Sequence, residues 1–263
     1  MTRNHADIAG RRLSWRQAGQ GRTLVLMHAY PLNADIFDAQ LDAVPHGWRL
    51  IAPDLRGFGE SSGPPALSLD DHADDVLALM RHLGVEQAVI GGVSMGGYLT
   101  FALFRKAPQR FQAMILSDTQ SAGDTPEIKE GRVKMQALVR EQGSAAIADA
   151  MTPKLLGPTA LAGQRVPDRV RRLIAAASAD GIHAALEALK TRPDSTDLLE
   201  DITCPTLIVV GADDELTPPD KAEAMQQRID NAALTVIPAA GHLPGLEQPL
   251  AFNAVLWEFL RTL

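Results

Sequence analysis

Short apolar runs alternate with longer stretches of helical periodicity along the chain. The runs occupy residues 23–27, 49–53, 88–92, 113–117, 206–210 and 233–237. They do not alternate apolar with polar, which predicts strands covered on both faces, as in a parallel sheet flanked by helices. Between them, residues 70–83 place Ala73, Val76, Leu77 and Met80 at helical spacing, and Gly84 stops the pattern. Residues 97–106, 220–229 and 249–263 read as further helices. Strand and helix in alternation predict a doubly wound α/β sheet. Residues 11–18 alternate and predict part of an antiparallel edge hairpin.

One stretch breaks the rhythm. Residues 119–203 contain no strand-like run, only helical patterns at 127–142, 144–151, 167–178 and 182–190. An insertion of this length is too long for a plain loop. It predicts a helical cap laid over one edge of the sheet. The cap has no aromatic residue, and none occurs anywhere from Gln112 to Ala251.

Composition narrows the class. The chain has 263 residues, 46% hydrophobic and 22% charged, enough to bury a core without disulfides or metals. A formal charge of −7 argues against a nucleic-acid partner, which needs clustered Lys and Arg. The single cysteine, Cys204, allows no internal disulfide and reads as a small buried filler. The first ten residues carry Arg3, His5 and Asp7 and no apolar stretch, so they do not read as a signal peptide. The apolar runs are too short to span a bilayer. The expectation is a soluble cytoplasmic protein that binds no membrane, as monomer or homodimer.

The chemistry begins at Gly92-Val93-Ser94-Met95-Gly96, a G-x-S-x-G pattern. It follows a predicted strand and opens a predicted helix, the setting a nucleophile elbow requires. Glycine is needed two residues either side of the serine because side chains there would collide with strand and helix. A serine hydroxyl also needs a base within hydrogen-bond reach. Of seven histidines, His5 falls in a frayed start, His46, His72 and His82 in polar or helical surface contexts, and His183 in the cap. His242 lies in the turn after the last strand, where sites of open α/β sheets form. The acid that orients it is drawn from the carboxylates following residues 206–210. Asp214 is the choice, with Asp213 and Glu215 as solvated neighbours. Asp118, at the end of another strand, is the competing candidate.

An oxyanion site needs two backbone donors. The candidates are the N–H groups of Met95, after the nucleophile, and of Tyr30, in the loop His28-Ala29-Tyr30-Pro31 that follows the first apolar run. His28 then braces that loop. No histidine or carboxylate stands beside His28 at a metal-binding spacing, and no metal or other cofactor is called for. The expected pocket wall is Leu216, Leu243 and the cap residues Met135, Leu138 and Met151. At helical spacing, those three cap residues fit the cap's own core equally well. An aliphatic wall suits a small or medium acyl group.

Together these motifs resemble the α/β-hydrolase superfamily over nearly the whole chain. His28-Ala29-Tyr30-Pro31 is similar to its H-G-x-P oxyanion loop, with Ala29 replacing glycine. Asp54-Leu55-Arg56-Gly57-Phe58-Gly59-Glu60-Ser61 is like its D-x-R-G-x-G-x-S loop. Gly211 to Pro218 resembles its acid loop, and Gly241-His242 with Glu247-x-Pro249 its end motif. The resemblance implies the chain order Ser94, Asp214, His242 for the triad. It also implies a mostly parallel, doubly wound sheet of about eight strands with a helical cap after the sixth strand. The core is expected at 1–118 and 204–263, the cap at 119–203. Within the superfamily the chain looks most like small esterases and enol-lactone hydrolases, which act on small-molecule esters or lactones. Ser94 argues against epoxide hydrolases and dehalogenases, which carry aspartate there. Carbon–carbon bond hydrolysis or perhydrolysis on the same triad, and a receptor with a vestigial triad, are the alternatives.

Overall fold

In the computed structural model, which describes residues 2–263, the apolar runs become adjacent strands of one sheet. The eight strands are β1 (Thr2–Ile8), β2 (Arg11–Gly19), β3 (Arg22–Met27), β4 (Trp48–Pro53), β5 (Ala88–Val93), β6 (Phe111–Ser117), β7 (Thr206–Gly211) and β8 (Ala232–Ile237). Their spatial order is β1-β2-β4-β3-β5-β6-β7-β8. All pairings from β4 to β8 are parallel; β1 and β2 add an antiparallel edge. The order reverses between β3 and β5, which opens a crevice at their C-terminal ends.

Helices join the strands. After β3 comes the short α1 (Asp38–Leu41), and after β4 comes α2 (Leu69–His82). The start of α2 is a capping box: the Asp71 N–H donates to Ser68 Oγ and the Ser68 N–H to Asp71 Oδ2. Next, α3 (Met95–Lys106) follows β5. Between β6 and β7 lie α4 (Pro126–Leu155), α5 (Pro158–Leu161), α6 (Arg165–Ala175) and α7 (Ala179–Thr191). Helix α4 is really two helices, since Gly143 at φ 75° breaks it where the sequence pattern changes. The chain closes with α8 (Pro219–Gln226), α9 (Pro244–Glu247) and α10 (Pro249–Arg261), each with proline at the start, where a missing N–H costs nothing.

Three expectations need correction. Residues 2–8 are not frayed: they pair along their whole length with β2, and Arg3 reaches Asp54 and Asp35. A strand with no apolar run gives no hydrophobic signal, because it sits half-exposed at the edge. Burial on both faces holds for β5 and β7 but not for β8, the opposite edge, where Val236 is exposed. His72 is not on the surface. It is buried on the inner side of α2, neither ring nitrogen has a hydrogen-bond partner, and burial lowers its pKa to about 3. Among the described residues, no helix is long and apolar enough to cross a membrane.

Candidate active site

Ser94 occupies the turn between β5 and α3 with φ 54° and ψ −111°, a conformation that costs free energy for a residue with a Cβ. Neighbouring packing holds it there. The Ser94 N–H donates to the Ser117 carbonyl (2.9 Å), while Thr119 Oγ1 donates to the Ser94 carbonyl (3.0 Å). The flanking glycines are required by close approach. A Cβ on Gly92 would strike the backbone of Gly96, and one on Gly96 would overlap the Met27 carbonyl oxygen at the end of β3. Met95 is the first residue of α3, so its N–H is among the donors a helix leaves unpaired at its N-terminus.

Asp214, in the loop after β7, and His242, in the loop after β8, meet as a buried pair. His242 Nδ1 donates to Asp214 Oδ2 at 2.8 Å. Thr217 Oγ1 donates to the same oxygen (2.7 Å), and the N–H groups of Leu216 and Thr217 donate to Oδ1 (2.9 and 3.2 Å). Burial alone would raise the Asp214 carboxyl. The His242 charge and the His242 and Thr217 hydrogen bonds outweigh it, and the carboxyl lies below its ordinary range. Asp213 and Glu215 point to solvent.

Asp118 lies beside this pair, buried and at φ 46°. Its Oδ1 accepts the Gly211 N–H (2.9 Å) and its Oδ2 meets Ser117 Oγ (2.5 Å); no hydrogen bond reaches His242. Burial, then the charge of Asp214, push its carboxyl well above the usual range. Asp118, Asp214 and His242 offer a donor set that a cation could use. Their oxygens already accept from amides and hydroxyls, however, which is the wiring of a hydrogen-bond network.

Glu247 ties the His242 loop to the cap. Its Oε1 accepts the N–H groups of Gly241 (2.9 Å) and Leu243 (3.1 Å), and its Oε2 accepts that of Gly157 (2.8 Å). On the other side of the site, the buried His28 accepts the Leu55 N–H on Nε2 (3.0 Å), so Nδ1 carries the proton and donates to the Ala29 carbonyl (3.0 Å). That neutral ring, whose pKa burial lowers, clamps the loop bearing Tyr30 to the loop after β4.

A cavity of about 310 Å³ lies against the cap and is lined by Ser94, His242, Tyr30, Thr217 and Leu216 together with α3 and cap residues. Met135 and Met151 line it. Leu138 and Leu243 do not. Leu138 sits one turn beyond Met135, about 4.5 Å along α4, and packs against the core. Leu243 turns away from the cavity into a separate small void with Phe37, Val93 and Phe252. Pattern reading missed Tyr98, Gln120, Asp124, Arg132 and Lys154, all on the cavity wall. Arg132 lies three residues before Met135, so it shares that helix face. Following the apolar stripe alone passed over it.

Comparison with known proteins places the chain in a family. A family model described as the alpha/beta hydrolase fold matches residues 22–144 and 167–249. The chain belongs to the α/β-hydrolase family. It is 31% identical to 3-oxoadipate enol-lactonase 2 of Acinetobacter baylyi over 251 residues, 94% of this chain and 91% of the relative. Among solved structures it resembles a malate-bound thermophilic esterase from Thermogutta terrifontis, at 38% identity and TM-score 0.95 over 100% of this chain and 99% of that one. It also resembles the enol-lactonase from Burkholderia xenovorans, at 25% identity and TM-score 0.91 over 98% of this chain and 100% of that one. This α/β-hydrolase therefore has esterases and enol-lactonases as relatives along nearly its full length.

Proposed function

We propose that this α/β-hydrolase is a carboxylic ester hydrolase that cleaves a small or medium ester or lactone through an acyl-enzyme on Ser94. The observation that carries the reading is a serine strained at an elbow sharing one cavity with a histidine whose far nitrogen is bound to a buried carboxylate. In this mechanism Ser94 Oγ attacks the carbonyl carbon as His242 Nε2 takes its proton. The charge of Asp214 stabilises the imidazolium and fixes its tautomer. The N–H groups of Tyr30 and Met95 receive the oxyanion. His242 then gives the proton to the leaving oxygen. Water, deprotonated by His242, attacks the acyl carbon, and Ser94 Oγ leaves with the proton returned. Esterase and enol-lactonase relatives support the same reaction class.

A fluorophosphonate probe tests the reading directly. It should label the protein at Ser94, and Ser94→Ala should lose both labelling and turnover of p-nitrophenyl acetate with an unchanged melting temperature. Turnover at the wild-type rate in Ser94→Ala would sink it. Lactones and peroxide-dependent halogenation, assayed beside the esters, separate this reaction from perhydrolysis.

A further inference from the structure

The cavity beside Ser94 is richer in hydrogen-bond donors and positive charge than an aliphatic ester requires. Arg132 and Lys154 line it, against the single carboxylate of Asp124. Asp124 is moreover shared: it binds Arg132 through Nε and Nη2, and it also binds Arg192, a guanidinium buried over the Tyr98 ring at 4.0 Å. One negative charge thus answers two guanidiniums. Arg132 keeps Nη1 unused, and Lys154 makes no ion pair among the described residues. Tyr30 lines the same cavity, and its buried hydroxyl has no hydrogen-bond partner. Buried hydroxyls are seldom left so, because the group loses water and gains nothing. Burial raises its pKa, and the charge of Arg132 opposes the rise, which puts the two groups in electrostatic reach of each other.

A guanidinium and an ammonium present donors and no acceptor, and a phenol O–H adds a third donor. Their complement is an acceptor-only anion, and a planar carboxylate fits the guanidinium fork best. We propose that the natural substrate carries a carboxylate a few carbons from the scissile carbonyl, held by Arg132, Lys154 and the Tyr30 hydroxyl. The proposal rests on the ester-hydrolase reading of Ser94 and names its substrate class.

The test compares substrates that differ only in charge. Monomethyl adipate and its neutral analogue, in which an amide replaces the free carboxylate, are assayed for kcat/KM, with the glutarate and pimelate pairs as length controls. The wild type should prefer the anion by at least about tenfold, and 0.5 M salt should erode the preference. Arg132→Gln and Lys154→Ala should each lower the anion-over-amide ratio by about tenfold, and Tyr30→Phe by severalfold. Lys154 is exposed, so its variant keeps the test sound if Arg132→Gln folds poorly. Calorimetric binding of both compounds to Ser94→Ala, where no chemistry intervenes, should show the same preference. Equal turnover and equal binding of anion and amide would overturn the carboxylate subsite and leave the esterase reading standing. Preferential binding of the anion without hydrolysis of any ester would sustain the subsite and overturn the esterase reading.

Discussion

Replacing either of two neighbouring buried aspartates with asparagine should have opposite consequences. Asp214 accepts two backbone N–H groups on Oδ1, and Thr217 Oγ1 and His242 Nδ1 on Oδ2. In Asp214→Asn the amide oxygen must stay with the two backbone donors. The NH2 group then faces His242 Nδ1, which can only accept from it. The ring proton moves to Nε2, and the base can no longer take the proton of Ser94. The expected loss is about 10³- to 10⁴-fold in kcat, or roughly 4–5.5 kcal/mol at 1.36 kcal/mol per tenfold. Asp118→Asn is different. Asp118 has no bond to His242, and an amide can keep its contacts, the oxygen accepting from Gly211 N–H and the NH2 donating to a Ser117 hydroxyl that turns from donor to acceptor. Its kcat should stay within about threefold of wild type. The assay is steady-state and burst-phase hydrolysis of p-nitrophenyl acetate at pH 7.5, with melting temperature as the fold control. A loss in Asp118→Asn matching that of Asp214→Asn would refute the reasoning, as would a rate within tenfold of wild type in Asp214→Asn.

Other changes reach the framework of the site. His72 has a depressed folded pKa, so the stability it contributes is complete above its unfolded value of 6.5 and falls as pH drops towards 3. The loss should reach about 2 kcal/mol by pH 5, and His72→Leu should remove it; urea titrations at pH 7 and pH 5 with the same pH dependence in both proteins would contradict this. Glu247→Gln can keep the Gly241 and Leu243 bonds but turns a donor towards the Gly157 N–H. It should cost about 1–3 kcal/mol in denaturant and lower kcat more than it raises KM. Gly96→Ala drives a methyl into the Met27 carbonyl. About 1–3 kcal/mol of destabilisation with loss of fluorophosphonate labelling is expected, and an unchanged melting temperature would argue against the close approach.

Much of the molecule could be read along the chain because its determinants are local. An unbroken apolar run such as 206–210 reports burial on both faces, and Gly92 and Gly96 report a turn that tolerates no side chain. Ser94, Asp214 and His242 stood out as candidates because each lies in a loop after a predicted strand, and the family resemblance supplied their order as a triad. What local pattern could not supply was burial and distance. β1 lacked any hydrophobic signal because an edge strand buries little, and His72 looked solvated because polarity says nothing of depth. Between Asp214 and Asp118 the sequence offered two carboxylates at two strand ends. The packing of β6 against β7 decided between them, giving one to His242 and leaving the other buried against Ser117 and Gly211. The same holds for the cavity wall. Arg132 and Lys154 on the cap and Tyr30 on the core lie far apart in the chain, and only the folding of α4 over the sheet makes them neighbours. The sequence by itself determined the strand–turn–helix frame and the serine at its turn, because those depend on short-range sterics and periodicity. The tertiary structure decided which charges meet, because electrostatic partnership depends on distance and exclusion of water, which the order of residues does not carry.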